Sequence, residues 1–285
     1  MHAIIDMRCR PPLPEYRQYF DIPRIAWHGR RTGAREVSRA FREGSMALFL
    51  EELDEAGVAH AVVQGRNSPA VFMGKQFNEA FIANERLARL QDDYGGRLLC
   101  FAGIDVSGTV HDAVAETVRS VRDLGLKGIF IEPGRTLQAP PDDARIHPVY
   151  EKCIELGVPV NVMSGPYAGP DIGVSDPLHI DRLCTRYPDL KVVLGHGAYP
   201  FVQQIIGVAF KHPNLFLSPD MYVFAPGGQA YIDAANGALR EQMVYGSAYP
   251  LRPVVQTVRD TAALAIEEDA RRAYMAGNAR RILGI

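Results

Sequence analysis

Two arginines, Arg8 and Arg10, stand two residues apart just after the apolar run AIID (3–6). Side chains two apart on a strand share a face. The pair can therefore present two planar guanidiniums to one carboxylate or other oxyanion. A structural reading competes with this one. Buried charge is costly without a partner, so the arginines could simply pair with acids such as Glu132 and Asp220. A histidine, His196, ends the run KVVLGH (191–196) between Gly195 and Gly197. Glycines allow close approach of a ligand, and an imidazole moves protons near neutral pH. Nearby arginines favour its neutral form, which suits a general base. A histidine closing an apolar run is, as readily, a hydrogen-bonded structural residue.

Other polar residues fall at or just beyond the ends of apolar runs. They are Asp6, then Gln64, Arg66 and Asn67, then Asp105 and Glu132. Asn161, Met163 and Ser164 follow, then Ser218, Asp220 and Tyr222, and last Ser247, Tyr249 and Arg252. Arg66, Glu132, Asn161, Met163, Ser247, Tyr249 and Arg252 are candidates for contacting a substrate; Ser247 and Tyr249 carry hydroxyl donors. Asp6 shares the face of Arg8 and is expected to pair with it. Of the eight histidines, His2 and His60 precede or begin runs, and His111, His147, His179 and His212 fall in or beside helical stretches. His28 lies in a long connection that can reach the site. No HxH or HExxH occurs, and the four cysteines form no CxxC. They read as reduced thiols of a cytoplasmic protein, with Cys9 on the face opposite Arg8 and Arg10.

These residues need a scaffold, and the pattern supplies one. Eight short apolar runs recur: 3–6, 59–64, 98–103, 127–132, 158–163, 191–196, 214–218 and 242–247. Runs that are apolar throughout suit parallel strands covered on both faces. Helical stretches alternate with them, as in SMALFLEELDEAG (45–57), apolar at 46, 49, 50 and 53 with Gly57 at the cap. Further helices are expected over 78–94, 109–124, 147–156, 176–187, 201–210, 229–239, 253–265 and 267–283. Eight such units make an α/β fold, a (β/α)8 barrel, in one domain over 1–285. In a barrel the strand C-termini and the loops after them build the site. The connection after the first run, 7–44, is read as a long loop. It holds four prolines, the only tryptophan (Trp27) and a basic cluster of Arg24, Arg30, Arg31 and Arg35. Its aromatics point to a segment docked over the barrel mouth.

Composition narrows the function classes. The chain has 285 residues, 47% hydrophobic, and a net charge of -2. There is no basic excess for nucleic acid, no apolar run long enough to span a membrane and no signal-peptide pattern at the N-terminus.

Four segments, in order and at matching spacing, carry a resemblance. IIDMRCRP, GVPVNVMSG, VVLGHGA and YGSAYP resemble motifs of the amidohydrolase-related family of barrels. That family includes aminocarboxymuconate-semialdehyde decarboxylase-like enzymes and pyrone-dicarboxylate lactonases. The resemblance implies a metal site at five positions, four of which differ here. Arg8 and Arg10 replace two histidines of the first strand, Met163 replaces the histidine of the fifth, and Ala248 replaces the aspartate of the eighth; only His196 is kept. Arginine has no lone pair to give, and methionine is too soft for zinc or manganese. No metal and no cofactor are expected, although a relocated site on His196, Glu132 and Asp220 remains an alternative. The leading expectation is a metal-independent, lactonase-like hydrolase of a small carboxylated molecule. Its catalytic residues would be His196, Arg8, Arg10 and Asp220, with Glu132 as an alternative base. The alternatives are a decarboxylase of the same family and a non-catalytic anion-binding paralogue. A homo-oligomer is left open.

Overall fold

The computed structural model describes residues 3–66, 70–72, 75–77 and 81–285. Seven parallel strands form one sheet. They are β1 (Ile4–Cys9), β2 (Val58–Gln64), β5 (Leu98–Gly103), β6 (Gly128–Ile131), β7 (Val160–Met163), β8 (Val192–Gly195) and β9 (Leu215–Ser218). Each pairs with the next in that order. Two short strands, β3 (Ala70–Phe72) and β4 (Lys75–Phe77), make a separate antiparallel hairpin after β2 that the sequence reading lacked. Asn67 lies outside the described residues, as do His2 and 78–80 of the helix expected over 78–94; the helix itself is Asn84–Asp93.

The expected eighth strand is not a regular one. Residues 242–249 join the two edges of the sheet through isolated bridges, Leu217 to Met243 and Cys9 to Tyr249. Met7 N–H donates to Tyr245 O at 2.9 Å, and Arg10 N–H donates to Tyr249 O at 3.0 Å. The ladder breaks because Ala248 has φ +59, a left-handed conformation that no strand contains. Asp6 makes good part of that loss. Its Oδ1 accepts the Arg8 N–H at 3.0 Å and the Ser247 N–H at 2.8 Å, so one carboxyl stitches β1 to the closing segment. Its expected pairing with the Arg8 guanidinium does not form, because that group turns to Asp220, Met163 and His196 instead.

Two apolar layers follow from strands buried on both faces. The outer one packs strands against helices; the inner one includes Ile5, Met7, Val62, Phe101, Phe130 and Val193. Ala279 and Ile282 of the last helix, Asn278–Leu283, join the inner layer. The register of β1 slips between Asp6 and Cys9. This irregularity lets Met7 fill the inner layer while Arg8 reaches the mouth and Cys9 turns outward. All four cysteines are buried.

The connection after β1 is not a loop. It folds into helices Pro14–Tyr19, Ile22–Arg31 and Arg39–Glu43. The capping signals were present: Asp21 and Ser38 accept backbone N–H groups at two of the N-termini. Prolines fall in the first turns of the first two helices, where they are tolerated. Tyr16, Tyr19, Phe20 and Ile25 are buried, so the segment is docked as expected. No helix among the described residues is long and apolar enough to cross a membrane.

Burial pushes the Asp6 carboxyl up from 3.8 to about 7. Between those values the native chain holds a proton that the unfolded chain has released, so stability falls as pH rises through this window. Asp6→Asn keeps the accepting oxygen and cannot ionise. Its unfolding free energy in urea, relative to the wild type, should therefore rise between pH 4.5 and 8; a pH-independent difference would refute this role.

Candidate active site

Arg8 sits at the centre of the barrel mouth and is 1% exposed. Its Nε lies 3.2 Å from Asp220 Oδ2. Its Nη2 lies 2.9 Å from Met163 Sδ and 3.2 Å from His196 Nε2. The Asp220 carboxylate is held in turn: Oδ1 accepts from Ser218 Oγ, and Oδ2 accepts the His196 N–H at 3.1 Å. His196 Nδ1 is 2.9 Å from Oδ2 but misses the direction a ring N–H bond requires. Two glycines make this cluster possible. A Cβ on Gly195 would fall 2.6 Å from Arg8 Nη1, and one on Gly246 would fall 2.3 Å from Asp220 Oδ1. His196 and Asp220 both have positive φ, +65 and +55. Such strain costs about 1–3 kcal/mol per residue and collects at functional sites.

The pocket above this cluster has an empty volume of about 530 Å³, counted out to its open mouth. Arg10 lines it beside Arg8, and both guanidiniums stand near the Phe130 ring at 5.2 and 5.5 Å. The docked segment closes over it with Tyr19, Phe20, Arg24 and His28. Arg135 and Tyr167, which the sequence reading missed, complete the wall. The signal for Arg135 was its place three residues after Glu132, in the turn that follows β6.

Charge is unevenly matched here. Glu132 is shared by Arg66 at 2.9 Å and Arg135 at 2.6 Å. Burial alone would raise its pKa, but Arg135, Arg66, Arg10 and Arg8 outweigh it and hold the group at about 2. Arg135 also donates to Tyr19 Oη at 2.8 Å, and the Arg66 guanidinium lies 4.1 Å from the Tyr19 ring. Arg8, Arg10, Arg66 and Arg135 are thus four buried cations facing two buried anions, Asp220 and Glu132, with the buried Asp6 only partly ionised at neutral pH. Among the described residues, the Arg10 side chain has no ion pair, and its Nε has no hydrogen-bond partner. Burial and Arg8 push His196 down to about 4, so its imidazole is neutral at neutral pH. Burial and Arg10 lower Arg8 to about 10, still cationic.

The other sequence candidates separate. Met163 and Ala248 line the pocket, as does Tyr222. Asn161 is buried beside Arg8, and its amide atoms have no partner among the described residues. Arg66 and Glu132 stand behind the pocket wall as a charge pair, the structural reading foreseen for acids of this site. Three candidates need correction. Ser247 bonds backbone, taking the Tyr249 N–H at 3.0 Å. Tyr249 turns outward, packing on Phe49 and reaching Ser38 Oγ at 2.8 Å, because the closing segment alternates its faces. Arg252 clamps the docked segment, donating to Thr32 O and pairing with Asp260. Asp105 caps its own turn through Ser107, Thr109 and Val110. Burial raises the Cys9 thiol, leaving no reactive sulfur at the mouth.

The donor set does not fit a divalent cation. Arg8 occupies the space between the imidazole, the thioether and the Asp220 carboxylate. It is a fixed positive charge that would repel such an ion. Glu132 is committed to two arginines, which removes the relocated site considered from sequence. Among the described residues no cluster of three His, Cys, Asp or Glu side chains could hold a metal. The reversal Arg8→His, Arg10→His, Met163→His, Ala248→Asp should take up one equivalent of zinc or manganese by elemental analysis, where the natural chain takes up far less. Equal metal content in the two proteins would overturn this assignment.

The family model described as amidohydrolase matches residues 5–285. Among solved structures, the chain is similar to an uncharacterised TIM-barrel protein of Bordetella bronchiseptica, at 36% identity and a TM-score of 0.89 over 99% of this chain and 98% of that one. It is also similar to 5-carboxyvanillate decarboxylase of Novosphingobium aromaticivorans, complexed with manganese and 4-hydroxy-3-methoxy-5-nitrobenzoic acid. That match has 16% identity and a TM-score of 0.67 over 99% and 96%. A third is 4-oxalomesaconate hydratase of Rhodopseudomonas palustris, at 19% identity and a TM-score of 0.65 over 99% and 95%. No curated protein matches the sequence.

Proposed function

The chain belongs to the amidohydrolase family, and from that premise we propose that it is a metal-independent hydrolase of a small carboxylated substrate, a lactone being the class that suits the site. One observation carries this reading: the surplus of buried guanidinium charge, with Arg10 facing the pocket unpaired among the described residues. Surplus buried cations call for an anion, and a carboxylate matches guanidinium geometry.

The remaining groups then have roles. Arg10 holds the substrate carboxylate, and Arg8 donates to the carbonyl oxygen, where charge builds in the transition state. As Arg8 Nη2 turns from His196 Nε2 to the carbonyl oxygen, that nitrogen is freed to accept a proton from water while the water oxygen attacks the carbonyl carbon. The ring C–O bond breaks, and the alkoxide takes that proton back from the imidazolium. Asp220 stabilises the imidazolium between these steps. A bound carboxylate also offsets the arginine charge that depresses the imidazole, which raises its basicity when substrate is present.

The same reading takes 1–285 as one domain working in the cytoplasm without a cofactor; four unpaired, buried cysteines support that compartment. The carboxylated substrate of the 5-carboxyvanillate enzyme favours a second reading, a carboxy-lyase on the same barrel. A panel of carboxylated lactones and aromatic acids, followed by acid release in a pH-stat and by carbon dioxide capture, separates the two.

On the active lactone, Arg8→Ala and His196→Ala should each cost at least about tenfold in turnover, about 1.4 kcal/mol of barrier. His196 must be neutral for this step, so kcat/KM should fall below about pH 4, while Arg8 stays cationic throughout the working range. Unchanged rates in both variants, or a limb near pH 7 of the kind a metal-bound water gives, would sink the proposal. Tight carboxylate binding without turnover would make the chain an anion-binding paralogue instead.

A further inference from the structure

A second hollow of about 760 Å³, also counted to its mouth, adjoins the arginine pocket. The two share His28, Tyr167, Met221 and Tyr222 as a common wall. The chemistry changes across that wall. On the far side Tyr199 and Tyr222 are stacked, with centroids 4.5 Å apart and planes 10° apart. Pro166, Ala225 and Pro226 add apolar surface, and among the described residues Arg31 is the only charged one in the lining. In the same lining, His28 meets Tyr167 edge-on at 4.7 Å. Tyr222 belongs to both spaces, and its ring also meets the His196 ring edge-on at 5.3 Å. The hollow therefore begins beside the proposed reacting centre.

We infer that this hollow is a subsite for a planar aromatic group carried by the substrate at a distance from its carboxylate. The inference rests on the proposed carboxylate pocket for its geometry and adds the substrate class: an aryl-bearing carboxylate longer than the arginine pocket alone can hold. Aromatic rings prefer offset-stacked or edge-to-face partners, and the lining brings together rings in both arrangements, the stacked Tyr199–Tyr222 pair and the edge-on His28–Tyr167 pair. A purely aliphatic acid would leave these faces wet. The shared lining places the hollow directly alongside the arginine pocket, which sets the order of the ligand: anion inside, ring outside.

The test uses three ligands on the whole chain, with calorimetry and the emission of Trp27, the single tryptophan, whose ring lies 4.7 Å from that of His28. Butyrate reads the arginine pocket alone, 4-phenylbutyrate reads both spaces, and 4-phenylbutyramide reads the hollow without the charge. Expected is about tenfold tighter binding of 4-phenylbutyrate than of butyrate, with a change in Trp27 emission for both aryl ligands only. Tyr199→Ala, and independently Ala225→Trp, which fills the hollow, should erase that advantage so that the two acids bind alike. Arg10→Met should weaken both acids by the same factor and leave the amide unaffected. A 4-phenylbutyrate advantage below twofold, or one that survives both hollow variants, overturns the subsite. Failure of both acids to bind, with the amide still binding and still sensitive to Tyr199→Ala, overturns the carboxylate pocket and leaves the subsite standing.

Discussion

The contact between the Arg8 guanidinium and the Asp220 carboxylate, at 3.2 Å and out of reach of water, sets the terms for everything around it. A fixed cation at the centre of a barrel mouth needs compensation. Asp220 adopts a left-handed backbone to provide it, two glycines keep the space clear, and His196 stays neutral. Buried ion pairs of this kind contribute little net stability. Breaking one partner while leaving the other buried is the costly event. The site is therefore locked as a unit, not assembled from independent residues.

Much of the scaffold was legible because it follows from local pattern. The fully apolar runs became the parallel strands, with seven of eight close to their expected limits. The eighth deviated because its closure depends on a left-handed Ala248 and on a carboxyl, Asp6, 241 residues before its partner Ser247, and periodicity carries neither. The connection after β1 was misread as a loop through the weight given to its prolines. Two of them stand in first turns of helices, where proline is at home.

The site was legible in its outline. Arg8, Arg10, Met163 and His196 meet at one mouth, which strand ends alone foretold. Which face a residue takes after its strand ends was not legible, and that is where Tyr249 and Arg252 were misplaced. Arg135 escaped notice for a related reason: it acts from the first turn of a short helix, Pro133–Thr136, not from a strand. Its partner Glu132 was found, but its task, balancing two arginines, depends on long-range charge that no spacing rule reports.

The closing segment 242–249 bears on how this chain can change. It fastens the barrel through Asp6 and, with Ala248, also walls the pocket. A substitution there is tested twice, once for closure and once for ligand fit, so few are tolerated. The helix Ile22–Arg31 lies over the same pocket without pairing in the sheet. Diversification toward new ligands is therefore cheapest along this helix, and relatives that share the barrel should differ most there.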